Sequence, residues 1–138
     1  PQPVAAPSPV QPAAAQLPTR ITKRYWLVVK QSAPGMTEYD VDVYLNAKWL
    51  MTVKNGMYDD AVNITRHLKP GQNTVVFEAK KTATGARKSF SSEHAMSLVI
   101  GEGDENSGNV MVDNSLVTFR RTAQDADNVA REYSFVAR

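Results

Sequence analysis

The chain has 138 residues, of which 42% are hydrophobic, 22% charged and 8% aromatic, which gives room for one globular domain and little for a second. Lys and Arg number 16 against 14 Asp and Glu, a formal charge of +2; so small an excess implies no phosphate-binding surface, and nucleic acid is not an expected partner. There is no cysteine, which excludes disulfides and thiolate chemistry and leaves the core to hold the fold, and no run approaches the roughly 18 to 20 apolar residues of a membrane-spanning helix.

Residues 1–20 read as an extended tether. Six of the 8 prolines (Pro1, Pro3, Pro7, Pro9, Pro12 and Pro18) fall here among Ala, Gln and Ser. Proline fixes φ and lacks an N–H, so the stretch favours polyproline II and joins neither a helix nor a sheet interior. Pro3, Pro7, Pro9 and Pro12 are the expected contacts with a protein partner or a neighbouring copy, because a preformed polyproline segment docks at low entropic cost. The sequence opens on Pro1 rather than Met. One reading is a mature secreted or envelope protein that has lost its signal segment, and the other is a shortened chain.

From residue 21 to 138 the periodicity is two rather than 3.6. Tyr25, Leu27 and Val29 alternate with Trp26, Val28 and Lys30, and Pro34-Gly35 turns the chain. In the next strand Tyr39, Val41, Val43 and Leu45 share one face and Asp40, Asp42 and Tyr44 the other. Asn46-Ala47 bends into a returning strand, Lys48 to Val53, whose simple alternation places Trp49, Met51 and Val53 together, inward. Asn55-Gly56 is a further turn, Ala61 to Ile64 a short strand, and Thr65 to Leu68 a single helical turn closed by Pro70-Gly71.

Asn73 to Lys81 is a core strand, Thr82 to Lys88 a basic loop, and Met96, Leu98 and Ile100 mark another strand. Gly101 to Asn109 reads as a polar loop, Val110 to Arg121 as further strand, and Tyr133, Phe135 and Ala137 as the last. Any helix around Ala123 to Arg131 is limited to a turn or two. The expected fold is an all-β, jelly-roll-like sandwich of about eight or nine strands carrying an N-terminal tether.

The run Val41-Asp42-Val43-Tyr44-Leu45-Asn46-Ala47-Lys48-Trp49, then Asn63-Ile64-Thr65, then Leu68-Lys69-Pro70-Gly71-Gln72-Asn73-Thr74-Val75, resembles the galactose-binding-like β-sandwich that accompanies glycoside hydrolases. There a V-x-V-N-G hairpin is followed by D-V-T-x-x-L-x-x-G-x-N and a core strand. The resemblance covers residues 41–75 and implies the sandwich fold and glycan binding. None of the family's sugar-site residues carries over. Leu68 is expected to bury the helical turn, and Asn73 to satisfy loop backbone groups before its strand. Ala47 stands where the family has Gly, so a hairpin without positive φ is expected, and Asn63 replaces the family's Asp.

Candidate chemistry is sparse. His67 and His94 have no metal-ligand spacing, and Ser89, Ser91 and Ser92 beside His94 lack a nucleophile elbow and read as turn residues. No catalytic residue, and no cofactor, is expected. Asp40, Asp42 and Tyr44 project from one strand face; the trio can receive a cation or sugar hydroxyls, and the plainer reading is a solvated face whose acids discourage sheet aggregation. Asp104, Glu105 and Asn106, within the Gly-rich loop, concentrate oxygen ligands as calcium loops do, without EF-hand spacing. A flexible acidic hairpin is the plainer account. Lys80, Lys81, Arg87 and Lys88, with Arg120-Arg121, are basic patches for an acidic partner or a solvated surface.

Aromatic rings are natural platforms for sugars or proteins. Trp49 is expected in the core, which leaves Trp26, Tyr44 and Tyr58 as the contact candidates. The functional expectation is a non-catalytic, extracytoplasmic module (secreted, periplasmic or on the cell surface), serving as a structural or accessory subunit of an envelope or extracellular assembly through its tether. The alternative is a carbohydrate-binding module.

Overall fold

The structure, a computed structural model, describes residues 18–83 and 85–138. The tether contacts expected at Pro3, Pro7, Pro9 and Pro12 lie outside the described residues. Eight strands run in chain order: β1 (Tyr25–Gln31), β2 (Tyr39–Leu45), β3 (Lys48–Val53), β4 (Asp60–Asn63), β5 (Gly71–Lys81), β6 (Ala95–Asn106), β7 (Asn109–Thr122) and β8 (Val129–Ala137), with a 3₁₀ turn at Thr65–His67. They form two four-stranded antiparallel sheets, ordered β4-β1-β6-β7 and β3-β2-β5-β8. The chain changes sheet between β1 and β2, β3 and β4, β4 and β5, β5 and β6, and β7 and β8. That is the all-β sandwich its period-two patterning dictates. Among the described residues no helix is long and apolar enough to cross a membrane.

The core lies between the sheets. Leu27 and Val29 of β1, Val41 and Val43 of β2, Val75 and Phe77 of β5, and Leu98 and Ile100 of β6 are all fully buried. Phe77 stacks on Phe119 of β7 at 5.0 Å between ring centroids, with Tyr133 of β8 tilted against Phe77 at 5.9 Å. Leu68 is buried, as expected of the residue that seats the 3₁₀ turn. Asn73, 1% exposed, accepts from the Lys69 N–H and donates to the Lys69 and Gly71 carbonyls, which satisfies the corner before β5 leaves it.

Three expectations need correction. The β2–β3 turn keeps positive φ at both central residues, Asn46 (49°) and Ala47 (68°), despite the missing glycine. That is the type I′ geometry whose twist matches a two-residue hairpin, and it is pinned by Asn46, which accepts from the Thr74 N–H and donates to Asn73 Oδ1. The segment 101–109 is no loop: β6 and β7 stay paired to Asn106 and Asn109 around a second positive-φ pair, Ser107 and Gly108. Residues 123–131 form turns and then the start of β8, not helix.

The extended hairpin is bent by register shifts at Ile100/Gly101 and Glu102/Gly103. A Cβ on Gly103 would fall 2.1 Å from the Met111 carbonyl oxygen and one on Gly101 2.5 Å from Val112 Cγ1, so both bends need glycine. Its tip, Glu105 and Gly108 to Val110, faces Trp26, Val28 and Lys30 of β1 and Asp59 and Asp60 across a groove of about 400 Å³.

Candidate functional site

On the outer face of the β3-β2-β5-β8 sheet the ladder sets four residues in a line across all four strands. Trp49 is opposite Tyr44, Tyr44 opposite Val76, and Val76 opposite Glu132. A parallel line beside it holds Thr52, Asp42, Glu78 and Ala130, and Thr74 pairs with Ser134 on the other flank. Trp49 is 60% exposed, whereas Tyr44 and Val76 are half-buried in the sheet surface.

This placement overturns the inward assignment of Trp49. The β2–β3 ladder slips by one residue between Val43 and Tyr44, so that Met51 faces Val43 while Trp49, not Leu50, faces Tyr44. Leu50 is the extra residue of a bulge, and a bulge inverts the facing of everything beyond it. Simple alternation from Val53 cannot see that inversion.

The indole is oriented as well as exposed. Trp49 Nε1 donates to Thr52 Oγ1 at 3.3 Å, and the Thr52 hydroxyl donates to Asp42 Oδ1 at 2.5 Å. Lys80 Nζ stands 3.5 Å from Asp42 Oδ2. The Thr52 hydroxyl bond, with Lys80 nearby, holds the Asp42 carboxyl below its ordinary range. Asp40 is taken up by the Asn55 N–H at 2.9 Å and by Lys54 at 3.6 Å. The two acids expected to meet a cation are therefore occupied by lysines, and Asp42 serves as an anchor for the Trp49 ring. Beside Trp49, a depression of about 220 Å³ is lined by Leu45, Lys48, Leu50, Arg66 and His67.

The other contact candidates do not join this face. Trp26 is only 5% exposed, with its indole N–H donating to the Gly103 carbonyl at 2.9 Å beneath the bent hairpin. Alternation correctly sets it on the outer side of β1, but the fold-back covers it. Tyr58 is 81% exposed in the connection between β3 and β4.

Asp104, Glu105 and Asn106 lie on extended strand, where successive side chains point to opposite faces and cannot converge on one ion. The expected loop is therefore strand, and among the described residues no group of three or more His, Cys, Asp or Glu is placed to hold a metal.

The remaining polar residues hold the fold. Ser89 Oγ and His94 Nδ1 are 2.6 Å apart, but Ser89 Oγ also accepts the Ser91 N–H, and among the described residues no carboxylate bonds to the His94 ring. In the basic patch, Lys81 donates to the Thr37 carbonyl at 2.6 Å and lies over the Tyr39 ring, Arg87 donates to the Ala123 and Gln124 carbonyls, and Arg121 donates to the Tyr39 hydroxyl at 3.1 Å. Burial, with Arg87 close by, pushes the Lys81 ammonium below its ordinary value. Three of the expected basic contacts are thus committed to closing one end of the sandwich.

Comparison with protein-family models, curated proteins and solved structures gives no match. The chemistry of the face has to be read from its own residues.

Proposed function

We propose that the protein is a non-catalytic, extracytoplasmic β-sandwich module whose outer β3-β2-β5-β8 face binds carbohydrate. The observation that carries this reading is Trp49, a large ring left 60% exposed yet fixed through Thr52 to Asp42. An exposed, oriented indole offers a flat apolar face to the C–H groups of a sugar ring without a loss of side-chain entropy on binding. The neighbouring Tyr44 hydroxyl and Glu78 carboxylate can meet sugar hydroxyls. The resemblance of residues 41–75 to the galactose-binding-like sandwich points the same way.

The test is a panel of immobilised glycans against the wild type, Trp49→Ala and Tyr44→Ala. Retention on at least one glycan, lost in Trp49→Ala with an unchanged melting temperature, is expected. Equal retention of wild type and Trp49→Ala would remove the face from the reading.

A second reading, a structural or accessory subunit of an envelope or extracellular assembly, is favoured by the proline-rich composition of residues 1–20. Light scattering on the intact chain and on one lacking residues 1–18 tests it. Loss of self-association or of a co-purifying partner on truncation supports assembly through the tether. A monomer in both cases removes that support.

A further inference from the structure

The line Trp49, Tyr44, Val76 and Glu132 crosses the sheet from edge to edge, because β3 and β8 are both edge strands. Neighbouring strands are ~4.8 Å apart, so three steps make a track of roughly 14 Å. That is several sugar units rather than one. Among the described residues no further strand of the sheet closes the track at either end, so a chain can enter from one side and leave by the other. The residues along it step from a protruding ring through half-buried Tyr44 and Val76 to exposed Glu132, while the flanking lines carry hydroxyls and carboxylates for the polar edges of a chain laid on its apolar side.

Charge narrows the class. At the Trp49 end stand Lys48 and Arg66; at the other, Glu78 and Glu132 have no ion-pair partner among the described residues, while Asp40 and Asp42 between them are matched by Lys54 and Lys80. A uniformly anionic polymer would gain at the first end and be repelled at the second, and a uniformly cationic one the reverse. An uncharged chain meets neither penalty. Resting on the carbohydrate-binding reading above, we infer that the face takes an extended, uncharged polysaccharide by its interior units, laid across the strands from Trp49 towards Glu132.

Calorimetric titration with length series of soluble β-1,4-linked glucose, mannose and N-acetylglucosamine oligomers tests this, beside an oligogalacturonate and a glucosamine oligomer. For the series that binds, affinity should rise by about tenfold from the disaccharide to an oligomer spanning the track, then level off. Tyr44→Ala and Val76→Asp, both at the sheet surface, should remove the gain with length at an unchanged melting temperature. A reducing-end-blocked oligomer should bind as its free form does. Affinity independent of length, loss of binding on end-blocking, or tighter binding of either charged polymer would overturn the inference and leave the carbohydrate reading standing. Failure of every oligomer to bind a folded wild type would overturn both.

Discussion

Trp49 lies directly opposite Tyr44 in the β2–β3 ladder, on the side of the sheet that faces solvent. The pairing depends on one bulged residue, Leu50, which lets Met51 and Val53 stay with the core while the indole turns outward. Thr52 then ties the indole to an acid, since its hydroxyl accepts from the Trp49 N–H and donates to Asp42.

Thr52→Val tests that connection. It keeps the shape of the side chain but leaves the indole N–H and one Asp42 oxygen without their partner. Because the site is near solvent, the cost in stability should stay below about 1 kcal/mol. Glycan affinity should fall severalfold, the Asp42 carboxyl should titrate closer to its ordinary range, and acrylamide quenching of Trp49 should increase. Unchanged affinity with an unchanged Asp42 titration would mean that the hydroxyl does not position the ring.

How much of this was legible in the sequence depends on where alternation holds. Tyr39 to Leu45 reads correctly residue by residue, since β2 is regular apart from its last pairs and is flanked by strands on both sides. Asn73 was legible too, because its side-chain chemistry suits a corner closed by Pro70-Gly71. Trp49 was not, since a bulge is a property of two strands in register and leaves no mark in one of them. Trp26 failed for a related reason. Its own strand places it outward, but what covers it comes from Gly101 and Gly103, whose need for close backbone approach was hidden in a stretch rich in polar residues. Those two glycines were the available signal.

Ala47→Gly should stabilise the fold. Ala47 sits at φ 68°, a left-handed conformation that costs a residue with a Cβ about 1 to 2 kcal/mol. Glycine removes that strain, at the expense of greater freedom in the unfolded chain, for a net gain of about 0.5 to 1 kcal/mol. A rise in melting temperature of a few degrees is expected for a domain of this size. A fall would show that Asn46 and its bonds to Thr74 and Asn73 already absorb the strain.

Two glycine substitutions should separate the bent hairpin from an ordinary turn. In Gly103→Ala the new Cβ would meet the Met111 carbonyl oxygen at 2.1 Å, and rigid backbone on both sides leaves nothing to yield. Destabilisation of about 2 kcal/mol or more is expected, with Trp26 fluorescence shifting to longer wavelength as its cover lifts. In Gly56→Ala nothing lies within 4 Å of the new atom, and the change should stay within about 0.5 kcal/mol. Similar melting temperatures for the two variants would contradict the close approach at Gly103.

Glu102 should make the fold sensitive to acid. Its carboxylate is buried, accepts from Arg138 Nε at 3.0 Å and Nη2 at 3.3 Å, and accepts a hydrogen bond from the Tyr25 hydroxyl at 3.3 Å, while that hydroxyl accepts the Arg138 N–H at 2.6 Å. The Arg138 hydrogen bonds hold Glu102 below the ordinary glutamate value, and burial raises Tyr25 above its own. A carboxyl lowered in the folded state contributes stability that is complete above the unfolded value, about 4.3, and is lost as pH falls through the folded one. Glu102→Gln removes this contribution and keeps the volume. The melting temperature of the variant should therefore lie below that of the wild type at pH 7, and the gap should narrow as pH falls below about 4. Because every other carboxyl titrates in both proteins, the difference between the two curves isolates Glu102. A gap that stays constant from neutral to acid pH would show that Glu102 stabilises by packing rather than as the anion that ties β8 to β1 and β6.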